Sequence, residues 1–77
     1  MQLNIKYFGL LAEITECSEE ILVFSKSTIG DLVDVISNKH PGLKSKEFQV
    51  AQNNEIVANE TLVSGAEIAL LPPFSGG

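Results

Sequence analysis

Residues 64–77 read SGAEIALLPPFSGG. Ser64 and Gly65 open a turn, and the residues after it alternate. Ile68 and Leu70 fall on one side; Glu67, Ala69 and Leu71 fall on the other, the period of a β-strand. Pro72 and Pro73 have no N–H to give to a ladder, so the strand ends at Leu71. One aromatic residue, one serine and Gly76-Gly77 follow. The reading divides the chain into a folded part, residues 1–71, and an extended flexible C-terminal tail, residues 72–77.

Working back from that strand, residues 2–8 (QLNIKYF) alternate just as strictly. Leu3, Ile5 and Tyr7 share one face; Gln2, Asn4, Lys6 and Phe8 share the other. Phe8 thus puts an aromatic ring on an otherwise polar side, and Gly9 ends the strand. Residues 19–25 (EEILVFS) are rich in β-formers and predict a second strand. Its spacing from the first predicts an antiparallel hairpin with a long loop through residues 10–18 (LLAEITECS).

Residues 27–42 (STIGDLVDVISNKHPG) carry the clearest helix. Ile29, Leu32, Val33 and Ile36 make one apolar stripe at i, i+3, i+4, i+7. Thr28 is placed to cap, with Asp31 three residues on, close to a capping box. Asp31 near the start and Lys39 near the end both suit the helix dipole, and Pro41-Gly42 stops the helix. Residues 46–52 (KEFQVAQ) predict a third strand with Phe48 and Val50 on one face. Residues 53–55 (NNE) then turn tightly into a short strand at Ile56-Val57. The order is ββαββ plus one short strand. It predicts a two-layer α+β domain, a mixed sheet of four to five strands packed on one main helix.

Composition narrows the functional classes. The 77 residues suffice for one small domain. Ten acids against five lysines, with no arginine, give a net charge of −5. A phosphate backbone would be repelled and no guanidinium is present to read bases, which excludes nucleic acid and anionic membrane as partners. A single cysteine, Cys17, permits no internal disulfide. The opening residues lack the apolar block of a signal peptide and no apolar run approaches spanning length, so the expectation is a cytoplasmic protein.

Order, size and ending together resemble the ubiquitin-like β-grasp family. Within it the nearest resemblance is to the small subunits of molybdopterin synthase, which are sulfur carriers. It covers the whole chain. It rests on YFGLLAEI at 7–14, AQNNEIV at 51–57, LVSGAEIALLPPFSGG at 62–77, and Gly77 as the last residue. Two positions depart from the family pattern: Ala12 stands where an arginine is frequent, and Ala66 where an aspartate is frequent. These touch charge pairs, not the tail.

The resemblance implies a chemistry. An ATP-using activating enzyme adenylates the terminal carboxylate, here that of Gly77, and sulfur replaces the adenylate to give a thiocarboxylate. The tail (Pro72, Pro73, Phe74, Ser75 and Gly76) enters the large subunit, and the sulfur passes to a cyclic pterin phosphate. Two transfers build the dithiolene that holds molybdenum. The chain is then no enzyme on its own. It binds no cofactor or metal, and the catalytic side chains belong to the large subunit, in an expected heterotetramer of two small and two large subunits.

The residue types suit that chemistry. Gly76 and Gly77 carry no Cβ to crowd the acyl carbon or to block a narrow passage. The prolines pre-set φ and give the tail a direction. Six extended residues reach roughly 20 Å. Burying Phe74 contributes about 1.5–3 kcal/mol, whereas ordering six residues costs about 1–2 kcal/mol each. A surface on the folded domain must therefore share the binding. Phe8 and Leu71 both fall on the non-core side of strands that are neighbours in a β-grasp. They form a candidate patch beside the tail, extended by Ile56.

Plainer readings stand beside these. A terminal Gly-Gly can be a frayed end, and Phe8 can be covered by the loop that follows it. Cys17 sits among Glu13, Glu16, Glu19 and Glu20, charges that disfavour a thiolate. His40, without a second histidine or a fitting cysteine, reads as a helix-end residue rather than a metal ligand. The acids of 13–20 and the lysines 39, 44 and 46 read as solvated faces. Three rival functions remain: a thiazole-pathway sulfur carrier, a ubiquitin-type modifier conjugated through Gly77, and a β-grasp interaction domain with an inert tail.

Overall fold

The computed structural model describes residues 1–25, 27–64 and 67–73. Five strands and two α-helices follow one another as β1 (Gln2–Tyr7), α1 (Leu10–Thr15), β2 (Glu19–Val23), α2 (Ile29–Lys39), β3 (Gln49–Gln52), β4 (Glu55–Val57) and β5 (Glu67–Leu71). A 3₁₀ turn, Pro41–Ser45, follows α2. The strands form one mixed sheet in the order β2-β1-β5-β3-β4. β1 and β5 pair in parallel at its centre and every other pairing is antiparallel. This is the β-grasp arrangement expected from the sequence.

Alternation decides which face of the sheet is covered. Leu3, Ile5 and Tyr7 of β1, Ile68 and Leu70 of β5, and Val50 of β3 are all buried. They pack on Ile29, Leu32 and Ile36 of α2, with Val33 half-buried against the same cluster. Each fully buried Leu or Ile contributes about 1.5–3 kcal/mol relative to exposure, so this layer holds the fold.

The ends of α2 are built as the sequence predicts. Thr28 Oγ1 accepts from Asp31 N (3.2 Å), and the Asp31 carboxylate accepts from Thr28 N (3.4 Å), completing a capping box. The turn between β3 and β4 places Asn53 and Asn54 at φ 53° and 69°. Positive φ at both central residues is the type I′ geometry that matches strand twist.

The strand expected over residues 46–52 spans only Gln49–Gln52, Lys46 closing the 3₁₀ turn instead, and two further expectations need correction. The stretch 10–18 is not a plain loop: Leu10–Thr15 is a short helix with Leu11 and Thr15 buried. It lies against the 3₁₀ turn so closely that a Cβ at Gly42 would stand 2.8 Å from Ile14 Cγ2. Second, the second strand stops at Val23, and Phe24 turns inward and is buried.

Candidate functional site

The site of interest is the place where the folded part releases the tail. Along the central parallel pair, Tyr7 stands opposite Leu70. The ladder runs one step further, Phe8 N donating to Leu70 O at 3.1 Å. Phe8 therefore stands beside Leu71 on the outer face, the face away from α2. In a parallel ladder the next bond would run from residue 72 N–H to Phe8 O. Pro72 has no N–H, and Phe8 O accepts instead from Leu11 N at 3.1 Å. The chain turns there on Gly9, with φ 58° and ψ −135°. Those angles and the Leu11-to-Phe8 bond make a type II′ turn, which takes glycine at its first central position. β1 and β5 thus part at one level, with Pro72 and Pro73 exposed to solvent.

The outer face has an apolar strip at this end. Phe8 is 45% exposed and Ile56 56%, and Leu71 is partly exposed. Ile56 stands opposite Ala51, and Ala51 opposite Ala69. Ile56 is therefore about 10 Å from the β5 line, two strand spacings away, joined to it by two alanines. All three residues expected to form a patch share one face. Lys6 and Glu67, 3.5 Å apart, border the strip toward the other end of β1. Phe74, Ser75, Gly76 and Gly77, and also Ala66, lie outside the described residues. Ala12 is half-buried against the core.

Two features escaped the sequence reading. Ile21 and Val23 of β2 are also exposed on the outer face, opposite Asn4 and Gln2. The other feature is Glu20, expected in a solvated acidic group. Its Oε1 accepts from the Tyr7 hydroxyl at 2.6 Å and lies 2.9 Å from His40 Nε2; its Oε2 meets Lys39 Nζ at 3.0 Å. A carboxylate only accepts, so Nε2 carries the proton of the His40 bond. Burial pushes the Glu20 carboxyl up, but the bonds from Tyr7, His40 and Lys39 outweigh it and bring it down to about 2. The Tyr7 hydroxyl is driven well above its ordinary value, by burial first and then by Glu20. The edge-on approach of the Tyr7 and His40 rings, with centroids 5.8 Å apart, completes the cluster. Strand alternation was the available signal: Glu20 shares its side of β2 with Leu22, the inward side. Cys17 is half-buried in the α1–β2 connection, its Sγ 3.6 Å from Thr15 Oγ1.

No group of three or more His, Cys, Asp or Glu side chains among the described residues is placed to hold a metal ion. No helix among them is long and apolar enough to cross a membrane. Among the described residues the arrangement offers an apolar strip beside the point where Pro72 and Pro73 follow the end of β5.

Comparison with known proteins gives a consistent picture. The ThiS family matches residues 5–77. The chain is 32% identical over 82 residues to the molybdopterin synthase sulfur carrier subunit of Mycobacterium tuberculosis, covering 100% of this chain and 99% of that one. It is 34% identical over 84 residues to small archaeal modifier protein 1 of Haloferax volcanii, covering 94% and 97%. The crystal structure of that modifier superposes with a TM-score of 0.84 at 29% identity, covering 100% of both chains.

Proposed function

The chain belongs to the ThiS family, and from that premise we propose that it is the sulfur carrier subunit of a molybdopterin synthase. The geometric observation that supports the reading is the exit at Pro72. The central strand β5 ends beside Phe8 and sends Pro72-Pro73 off the sheet next to the apolar strip. A carrier needs that combination: a surface to dock and a tail that leaves it in a set direction. The full-length likeness to a chain named as a molybdopterin synthase sulfur carrier subunit favours this over a thiazole-pathway carrier.

In this reading the carboxylate of Gly77 attacks the α-phosphorus of ATP on an activating enzyme, and pyrophosphate leaves. A hydrosulfide equivalent adds to the acyl carbon and AMP leaves, giving the thiocarboxylate. Pro72, Pro73, Phe74, Ser75 and Gly76 carry it into the large subunit, while Phe8, Ile56, Leu71 and Phe74 hold the partner. The carboxylate of Gly77 returns when water cleaves the acyl–sulfur bond after transfer to the pterin. The small chain supplies no acid, base or cofactor to these steps; ATP is used by the activating enzyme, and two small and two large subunits assemble in the cytoplasm.

The test is the intact mass. Incubation with ATP, the cognate activating enzyme and a sulfur donor should raise it by the difference between sulfur and oxygen. An unchanged mass with a competent activator would sink the reading. A second reading is favoured by the 34% identity to an archaeal modifier protein: conjugation of Gly77 to lysines of other proteins. Lysine adducts carrying the chain's C-terminal residues, found by peptide mass analysis in cells that express it, would support that alternative.

A further inference from the structure

Gly9, at the end of β1, stands beside Pro72, and no part of the tail chemistry touches it. A Cβ built on Gly9 would stand 3.0 Å from Pro72 Cγ and 3.8 Å from Pro72 Cδ. The first distance is closer than a methyl group and a ring methylene approach without one of them moving. The backbone at Gly9 also excludes a side chain on its own account, since φ is 58° with ψ −135°. The proline ring therefore rests over a bare Cα, at the level where the β1–β5 ladder loses its next bond.

Three local facts converge on this contact. Phe8 N still holds Leu70 O, so the strands are in register up to that point. Phe8 O accepts from Leu11 N, which closes the turn at Gly9. Pro72 has no N–H to offer. The next ladder bond is thus not available at Pro72, and what meets β1 there is its ring, beside the bare Cα of Gly9.

We infer that Gly9 is a positioning residue for sulfur transfer, its bare Cα forming the seat for Pro72 that sets the direction in which the tail leaves the sheet. The inference rests on the sulfur-carrier reading. A tail that must deliver one carbon across roughly 20 Å amplifies any tilt at its root. A 1 Å error at the reacting atom costs on the order of a hundredfold in rate.

The experiment uses the full chain as parent, Gly9→Ala, Pro72→Ala and the double variant. Each is first loaded with sulfur and checked by intact mass. Affinity for the large subunit is then measured, followed by single-turnover transfer to the cyclic pterin phosphate at saturating large subunit. Both single variants should bind within about twofold of the parent and transfer roughly ten- to a hundredfold more slowly. The double variant should lose clearly less than the product of the two single losses, because the new methyl group then has no ring to displace and only the strain of a side chain at φ 58° remains; such non-additivity marks residues acting through one contact. A purely structural role for Gly9 would instead lower affinity in step with rate, or give multiplying losses in the double variant, and either result overturns the inference. If Gly9→Ala does not fold, Pro72→Ala decides alone, and transfer at the parent rate by that variant refutes the seat. Failure of the parent itself to load or transfer would count against the sulfur-carrier reading, a result separate from any difference among the variants.

Discussion

Replacing Glu20 with glutamine tests the buried cluster through its pH dependence. The amide keeps an oxygen to accept from Tyr7 but loses the charge that holds Lys39 and strengthens the other two bonds. In the parent the carboxyl falls from 4.5 to about 2. At about 1.4 kcal/mol per pH unit that displacement corresponds to about 3 kcal/mol. β2 is an edge strand and the Glu20 side chain keeps 17% of its exposure, so solvent screening brings the expected contribution to about 1–2 kcal/mol. A depressed carboxylate stabilises the folded state above its unfolded value, near 4.5, and the contribution is lost as pH falls toward about 2. The parent should therefore exceed Glu20→Gln by about 1–2 kcal/mol at pH 7. That is a difference of about 5–15 °C in Tm for a domain of this size. Urea unfolding at pH 7, 5, 4, 3 and 2.5 should show the gap steady down to pH 5 and mostly closed by pH 2.5. A gap that stays constant across the series would refute the assignment, because the difference would then come from packing and not from the charge.

Phe8→Asp and Leu71→Asp should each weaken large-subunit binding by tenfold or more with the far-ultraviolet circular dichroism unchanged, since each would bury an unpaired charge in the interface; parent-like binding by both would remove the strip from consideration. Deleting Gly77 should leave large-subunit binding within about threefold in pull-down and abolish dithiolene formation, because the activated carbon would fall short by ~3.3 Å; product at the parent rate would show that Gly77 is not the donor. Gly42→Ala should destabilise the domain by about 1–3 kcal/mol in urea melts through its contact with Ile14 Cγ2. Adding Ile14→Leu, which removes the β-branch methyl, should recover part of that loss, and no recovery would mean the contact is not its source.

The strands and the main helix were legible because each repeats a simple period over enough residues to be read. Leu3, Ile5 and Tyr7 alternate, Ile68 and Leu70 alternate, and Ile29, Leu32 and Ile36 recur at helical spacing, and all eight are buried. α1 was not legible because six residues give a helical period too little length to register: only Leu11 and Thr15, four apart, are buried. The Glu20 cluster was hidden for a different reason. Its partners Tyr7 and His40 are 13 and 20 residues away, and composition groups Glu20 with its acidic neighbours instead. The role of Gly9 was visible only as the end of a strand, because its neighbour Pro72 is distant in sequence and adjacent only through the β1–β5 register.

The two halves of the tail problem fall on different residues, which makes the sulfur-carrier reading separable in experiment. Ordering six tail residues costs about 1–2 kcal/mol each, and Phe74 returns only about 1.5–3 kcal/mol. The remainder must come from the folded domain, and the outer face next to the exit supplies apolar area at Phe8, Leu71 and Ile56 with small alanines between them. That surface keeps its place because β1 and β5 are buried on their other side against α2. Affinity should therefore respond to substitutions on the outer face and be nearly indifferent to Gly9 and Pro72. Rate in the bound complex should respond to Gly9, Pro72, Gly76 and Gly77. Gly76→Val places the two requirements in one chain: the docking strip is intact, so the variant should bind, yet a β-branched side chain beside the reacting carbon should slow transfer. If Gly76→Val lost affinity and rate together, docking and delivery would not be the separate functions that the fold divides between the sheet face and the tail.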